Sequence, residues 1–288
     1  MGSPAASGVG GAERRLTARL RPAAVAGSFY PADASELAGL VDGLLADVRT
    51  ERGAAGPVAA VAPHAGYRYS GAVAAHTYAH LAPWRSEIAR VVLLGPAHLV
   101  PLAGMAVPGV DAFATPLGPV PIDADARVAV TGMPSVVVDD HPHRGEHSLE
   151  TQLPFLQRAL GPDVRVLPVA VGDTAPAAVA AVLSTLASAG GTVAVVSTDL
   201  SHYLDQRTAR ERDARTAAAI LHRDAAAIRP EDACGHRALR GLVHHVAEHR
   251  MDVELLRLAT SADSGADPRR VVGYGAFLVH EGSAGGTN

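Results

Sequence analysis

The chain contains no lysine, so all 25 of its basic residues are arginine. That excludes Schiff-base catalysis and any phosphate-binding loop built on a lysine. A single cysteine, Cys234, excludes an intrachain disulfide, and the fold must therefore rest on a packed core rather than on covalent staples. Aromatic residues make up only 4% of the chain, so few rings are available to stack on a planar ligand. No apolar run approaches membrane-spanning length. Arg14-Arg15 is not followed by an apolar stretch, because Arg19 interrupts Leu16 to Arg21, and no signal peptide is read. A cytoplasmic protein is expected. The net charge of -4 argues against nucleic acid and against an acidic membrane surface as partners.

The 288 residues, 48% of them hydrophobic, suffice for one large α/β domain. No linker and no repeat divides the interior. Residues 1–20 read as a disordered tail, 21–281 as the folded domain and 282–288 as a second flexible tail. Asp33 with Glu36 three residues on reads as a capping box, followed by Leu37, Leu40, Val41, Leu44, Leu45 and Val48 on one helical face. Helices are expected near 70–81, 148–160, 175–189, 206–226 and 235–250. Strands are expected near 58–62, 91–94, 164–171, 192–197, 253–259 and 271–280, the last broken by Gly273 and Gly275. The Pro/Gly-rich stretch 104–147 suits hairpins and short edge strands better than a helix. This alternation predicts a single three-layer α/β domain with a largely parallel or mixed central sheet.

Several apolar runs end on side chains able to bind a metal. His64 follows Val58 to Pro63, His98 follows Val91 to Ala97, and Asp199 and His202 follow Val193 to Thr198. In an open α/β sheet, ligands gather beyond the carboxyl ends of the strands. Each histidine alone reads as a strand-end residue bonded to backbone; two delivered to one sheet edge read as metal ligands. Asp199 could serve merely as an N-cap. Cys234, just before a helix, is either a small buried hydrophobe or a thiol whose pKa the helix field lowers for metal binding. His141, His143 and His147 cluster in an irregular loop, where His147 and Glu146 suit support of a metal site better than direct ligation. His236 is expected to face solvent or to cap the helix, His244, His245 and His249 to line a wet helix face, and His76, His80, His222 and His280 join no constellation. No Gly-x-Ser-x-Gly elbow supports a serine hydrolase.

The motifs Ala26-Gly27-Ser28-Phe29-Tyr30-Pro31, Pro63-His64-Ala65-Gly66-Tyr67, Gly95-Pro96-Ala97-His98, Glu146-His147-Ser148-Leu149-Glu150, Ser197-Thr198-Asp199-Leu200-Ser201-His202, Cys234-Gly235 and Gly273-Tyr274-Gly275 stand in the order of the Memo family, which this chain resembles from Arg21 to Glu281. Its prokaryotic members are often called AmmeMemoRadiSam system protein B. The resemblance implies a fold like that of class III extradiol dioxygenases, with a cysteine in place of the metal-binding carboxylate. It implies His64, His98 and Cys234 as ligands of one divalent transition metal, with Asp199 and His202 beside it in catalytic roles; because the two share one strand-end turn, Asp199 is expected to orient the His202 imidazole by accepting a hydrogen bond. Leu99 stands where animal relatives carry a further histidine.

Three functions compete on this reading. The first is a non-haem redox enzyme acting on a small molecule, such as an aromatic diol, with O₂; Fe(II) is the expected metal, with copper or zinc as alternatives. The others are a non-catalytic copper- or iron-binding protein and a peptide-binding scaffold. A thiolate is softer than a carboxylate and draws the preference toward copper(I) and zinc while still accepting Fe(II). No oligomeric state follows from the sequence.

Overall fold

The computed structural model describes residues 19–282. The chain begins with β1 (Leu20–Arg21) and α1 (Ala34–Ala46), then β2 (Ala59–Ala62), α2 (Tyr67–Leu81), β3 (Arg90–Pro96) and β4 (Met105–Val107). A hairpin of β5 (Ala112–Thr115) and β6 (Gly118–Pro121) leads to α3 (Ala124–Val130), β7 (Val136–Val138), α4 (His147–Glu150) and α5 (Leu153–Leu160). Next come β8 (Arg165–Val171), α6 (Pro176–Ala187), β9 (Thr192–Ser197), β10 (His202–Leu204) and α7 (Gln206–Leu221). The order closes with α8 (His236–Glu248), β11 (Asp252–Thr260) and β12 (Val271–His280).

The main sheet runs β10-β12-β2-β9-β3-β8-β4-β7, with β11 on β12. Its centre, β2-β9-β3-β8, is parallel, while β12 and β4 pair antiparallel to β2 and β8. Every residue of β2 and residues 91–96 of β3 are buried. Such unbroken apolar runs are what a strand covered on both faces requires. Each buried Val or Leu among them contributes about 1.5–3 kcal/mol. Helices α1, α2 and α5 pack on one another, α6 on α8 and α3, and α7 over β11 and β12. A separate sheet of β1, β5 and β6 flanks this body.

Several expectations change. Residues 1–18 and 283–288 lie outside the described residues, but Leu20, assigned to the tail, pairs in β1 with Ala112. Asp33 caps α1 through the N–H groups of Ser35 and Glu36, and Leu40 is exposed, turned off the face that buries Leu37 and Val41. The helix expected over 148–160 is interrupted at Thr151-Gln152, and that over 206–226 stops at Leu221, where Arg223 takes a φ of 62°. The 104–147 stretch holds a helix after all: Asp123 accepts from the N–H of Ala126 and caps α3. β12 is not broken by its glycines. Gly273 is needed for a close approach, since a Cβ there would stand 1.8 Å from Asp213 Oδ2. His245, expected on a wet face, is buried where α8 meets α6 and bonds Ser184 Oγ at 3.1 Å.

Candidate metal centre

His64 lies two residues beyond β2, His98 two beyond β3, and Asp199 two beyond β9, so three parallel strands end at one place. Cys234 arrives from across the chain. Its N–H donates to the Asp199 carbonyl at 3.2 Å, and the Gly235 N–H to Thr198 Oγ1 at 2.9 Å. Gly235 must be glycine here, because a Cβ would meet Thr198 at 2.8 Å. The ligand atoms of His64, His98 and Cys234 then lie within 4.8 Å of one another.

Hydrogen bonds fix the tautomer that each imidazole takes when neutral. Gln152 Nε2 donates to Ser197 Oγ at 2.8 Å, and Ser197 Oγ donates its only proton to the Ser148 carbonyl at 2.6 Å. The remaining contact of Ser197, to His64 Nδ1 at 2.9 Å, must be accepted by the hydroxyl. His64 therefore carries its proton on Nδ1 and turns a free Nε2 lone pair toward Cys234 Sγ, 3.2 Å away. His98 is held by one carboxylate twice. Glu146 Oε1 lies 2.9 Å from His98 Nδ1, and Oε2 accepts the His98 backbone N–H at 2.6 Å, again leaving Nε2 free. Burial would raise the Glu146 carboxyl, but bonds from His98 and Ser148 outweigh it and hold it down to about 2.

The His147 ring stacks on His98 with centroids 4.7 Å apart and meets His64 edge-on. His98, Glu146 and His147 also form a carboxylate–imidazole group close enough to hold an ion. Glu146 is already committed to His98 in that group, so the thiol-containing trio is the better donor set.

His202 and Asp199 correct an expectation. Asp199 does not orient His202: its Oδ1 accepts the backbone N–H of His64 at 2.7 Å, and His202 Nδ1 donates instead to the Leu200 carbonyl at 2.7 Å. The chain after Asp199 turns at once into β10, which brings the Leu200 carbonyl nearest the ring. His202 Nε2 has no hydrogen-bond partner among the described residues, and burial lowers its pKa, favouring the neutral ring. Burial raises Asp199 to about 7. Cys234 likewise departs from the helix-field argument. Burial, reinforced by Asp199, pushes its thiol up to about 12, although the Asp199 N–H points at the sulfur from 3.3 Å.

Two clefts share His98 and Cys234 as a common wall. One, of about 580 Å³, is lined by His64, His147, Asp199, His202, Tyr203 and Arg212 among others. The other, of about 760 Å³, is more apolar, with Val100, Leu102 and Val171 alongside Arg237. Ser197 and Gln152, which set the His64 tautomer, escape a reading of the sequence because only the fold brings them to the ring. His141 and His143 stand apart, and His143 is buried with Nε2 on the Ala106 carbonyl at 3.0 Å.

These features define an α/β protein with a His-His-Cys cluster able to take a metal at the carboxyl edge of its sheet. A family model described as Memo-like protein matches residues 21–278. MEMO1 family proteins of Methanosarcina barkeri and Methanopyrus kandleri are 36% and 35% identical to this chain, covering 90% and 91% of it and 100% and 99% of themselves. One from Thermotoga maritima is 34% identical over 88% of this chain and 97% of its own length. The chain belongs to the Memo family. Among the described residues, no helix is long and apolar enough to cross a membrane.

Proposed function

We propose that this protein is a mononuclear non-haem iron redox enzyme whose chemistry resembles that of class III extradiol dioxygenases, with a small molecule and O₂ as substrates. The observation that carries this reading is the tautomer lock. Ser197 and Glu146 hold protons on Nδ1 of His64 and His98, so both Nε2 atoms are free beside one thiol. Two neutral imidazoles and one thiolate fit a divalent ion, whose bonds of about 2.0–2.3 Å set its ligands roughly 3–4.5 Å apart. Loss of the Cys234 proton accompanies binding, and the raised thiol pKa makes that uptake pH-dependent.

Iron held by His64, His98 and Cys234 would supply Lewis acidity and redox chemistry. The protein's own part is positioning and proton transfer. His202 is neutral with its Nδ1–H committed to Leu200, so Nε2 is the atom to take a proton from a substrate hydroxyl. Such general-base help is worth ~10²–10⁴-fold. Asp199 holds the backbone of His64 and has no such duty. A second reading, a copper-handling protein without turnover, draws support from the soft thiolate of Cys234.

The test is anaerobic purification, elemental analysis and oxygen uptake by the iron-loaded protein against panels of small molecules. About one metal per chain, lost in a His64→Ala/His98→Ala double variant, with substrate-dependent oxygen uptake, is expected. Tight Cu(I) binding with no uptake for any substrate selects the second reading, and full metal occupancy in the double variant removes the site.

A further inference from the structure

Tyr203 sits in a conformation that costs energy, and the cost falls at the mouth of the candidate metal cleft. Its φ is 60°, in the left-handed region that a bulky side chain rarely enters. The register of β10 against β12 shifts between His202 and Leu204, so Tyr203 is the extra residue of a bulge while its neighbours pair with β12. Bulges of this kind re-aim a side chain. This one leaves a tyrosine ring 63% exposed although the chain has few aromatic residues to spare. The ring lines the same cleft as His64, His98, His202 and Cys234. Its centroid is 5.6 Å from that of His202, and the Arg270 guanidinium lies over it at 4.4 Å.

The geometry points to Tyr203 as a specificity-determining residue that stacks on a planar, aromatic substrate whose far end reaches the metal. Backbone strain persists where the surroundings enforce it, commonly at binding sites. The Arg270 guanidinium holds the ring in place by a cation–π contact and leaves the rest of it as a stacking surface for an aromatic partner. Arg212 and Glu231 both line the cleft, so net charge alone does not select the ligand. The ring does. This inference rests on the metal reading only for where the substrate's other end lies.

Benzoate and cyclohexanecarboxylate carry the same charge and differ in aromaticity, which makes them the probes. Each is titrated by calorimetry and ligand-observed NMR into wild-type, Tyr203→Leu and Tyr203→Phe proteins, metal-free and zinc-loaded. Wild type should prefer benzoate by about three- to tenfold, the size of one aromatic contact beyond its buried area. Tyr203→Phe should keep that preference and Tyr203→Leu should lose it, with zinc content the same in all three. Tyr203→Gly adopts a positive φ without strain and should melt no lower than Tyr203→Leu, while also losing the preference. A wild type indifferent to aromaticity, or a preference that survives in Tyr203→Leu, overturns the assignment. Failure of wild type to take up zinc counts against the metal reading alone, because the metal-free titrations still decide the role of the ring.

Discussion

The Asp199 carboxylate accepts the backbone N–H of His64 at 2.7 Å, tying the end of β9 to the turn that follows β2. The imidazole of His64 is thus held at both ends, its backbone by Asp199 and its Nδ1 by Ser197. Removing the carboxylate leaves a buried N–H unpaired, which costs about 1–3 kcal/mol. Asp199→Ala is therefore expected to lower unfolding free energy by that amount and to weaken metal binding roughly 10–100-fold. Asp199→Asn, which keeps an acceptor oxygen, should recover most of both. Chelator competition and urea unfolding measure the two effects. An alanine variant with wild-type metal affinity would make Asp199 irrelevant to the site.

Part of this site is legible in the residues, and the rest depends on contacts that no local pattern encodes. Apolar runs ending at His64, His98 and Asp199 announce parallel strands, and parallel strands share a carboxyl edge. The place of Cys234 depends on bonds to Thr198 and Asp199, residues distant in sequence. The partner of His202 is not legible, because the short strand β10 with its bulge at Tyr203, which the sequence does not announce, sets where the ring lies. Burial of His245 does have a local signal. Ala238, Leu242 and His245 recur at helical spacing and are all buried, and His245 bonds Ser184 of α6. Helix α3 is hidden by the Pro- and Gly-rich segments on either side of a short capped run.

Glu146 decides which nitrogen of His98 is free. Its Oε1 lies on Nδ1 at 2.9 Å, and burial leaves no solvent to replace it. Glu146→Ala should cost metal affinity about 10–100-fold while leaving His98 in place. Glu146→Gln, which can still accept from the ring N–H, should fall between the two. Metal titration of the three proteins checks the order. Equal affinities would mean that His98 needs no help in choosing its tautomer.

His143 sets a pH dependence for the fold, separate from the cleft. Burial pushes it down to about 4, against the raising effect of the Ala106 carbonyl and with the lowering effect of Arg21. Its Nδ1 has no hydrogen-bond partner among the described residues. With the folded pKa below the unfolded value near 6.5, the unfolded chain takes up the proton first as pH falls. The stabilisation is complete above about pH 6.5 and is lost progressively down to about pH 4. At pH 5 the loss is on the order of 2 kcal/mol relative to pH 7.5. Urea unfolding at both values should show that slope, and His143→Gln, which can still donate to Ala106, should reduce it. An unchanged slope in the variant would assign the acid sensitivity elsewhere, His64 and His245 being the other buried imidazoles whose pKa burial lowers.

The N-terminal segment that packs against His147 hangs on one buried ion pair. Arg21 bonds the Glu150 carboxylate, and its other guanidinium nitrogens donate to the His143 carbonyl at 2.7 Å and the Glu146 carbonyl at 2.6 Å. Glu150 in turn accepts from the N–H groups of Ala24 and Val25 and from the Tyr30 hydroxyl. Residues 21–30 are thereby fastened to the loop that carries Glu146 and His147, and Phe29 packs on the His147 ring at 4.8 Å. Removing one partner strands a buried charge, at a cost of about 3–5 kcal/mol. Arg21→Met should show that loss in urea unfolding and should loosen His147, read as a shifted imidazole resonance. Arg21→Met with Glu150→Gln leaves no buried charge and should regain part of the stability, because the amide oxygen introduced in place of the carboxylate can still accept from the backbone. A double variant no more stable than Arg21→Met would mean that the guanidinium's bonds to the two carbonyls, rather than the ion pair, hold the segment down.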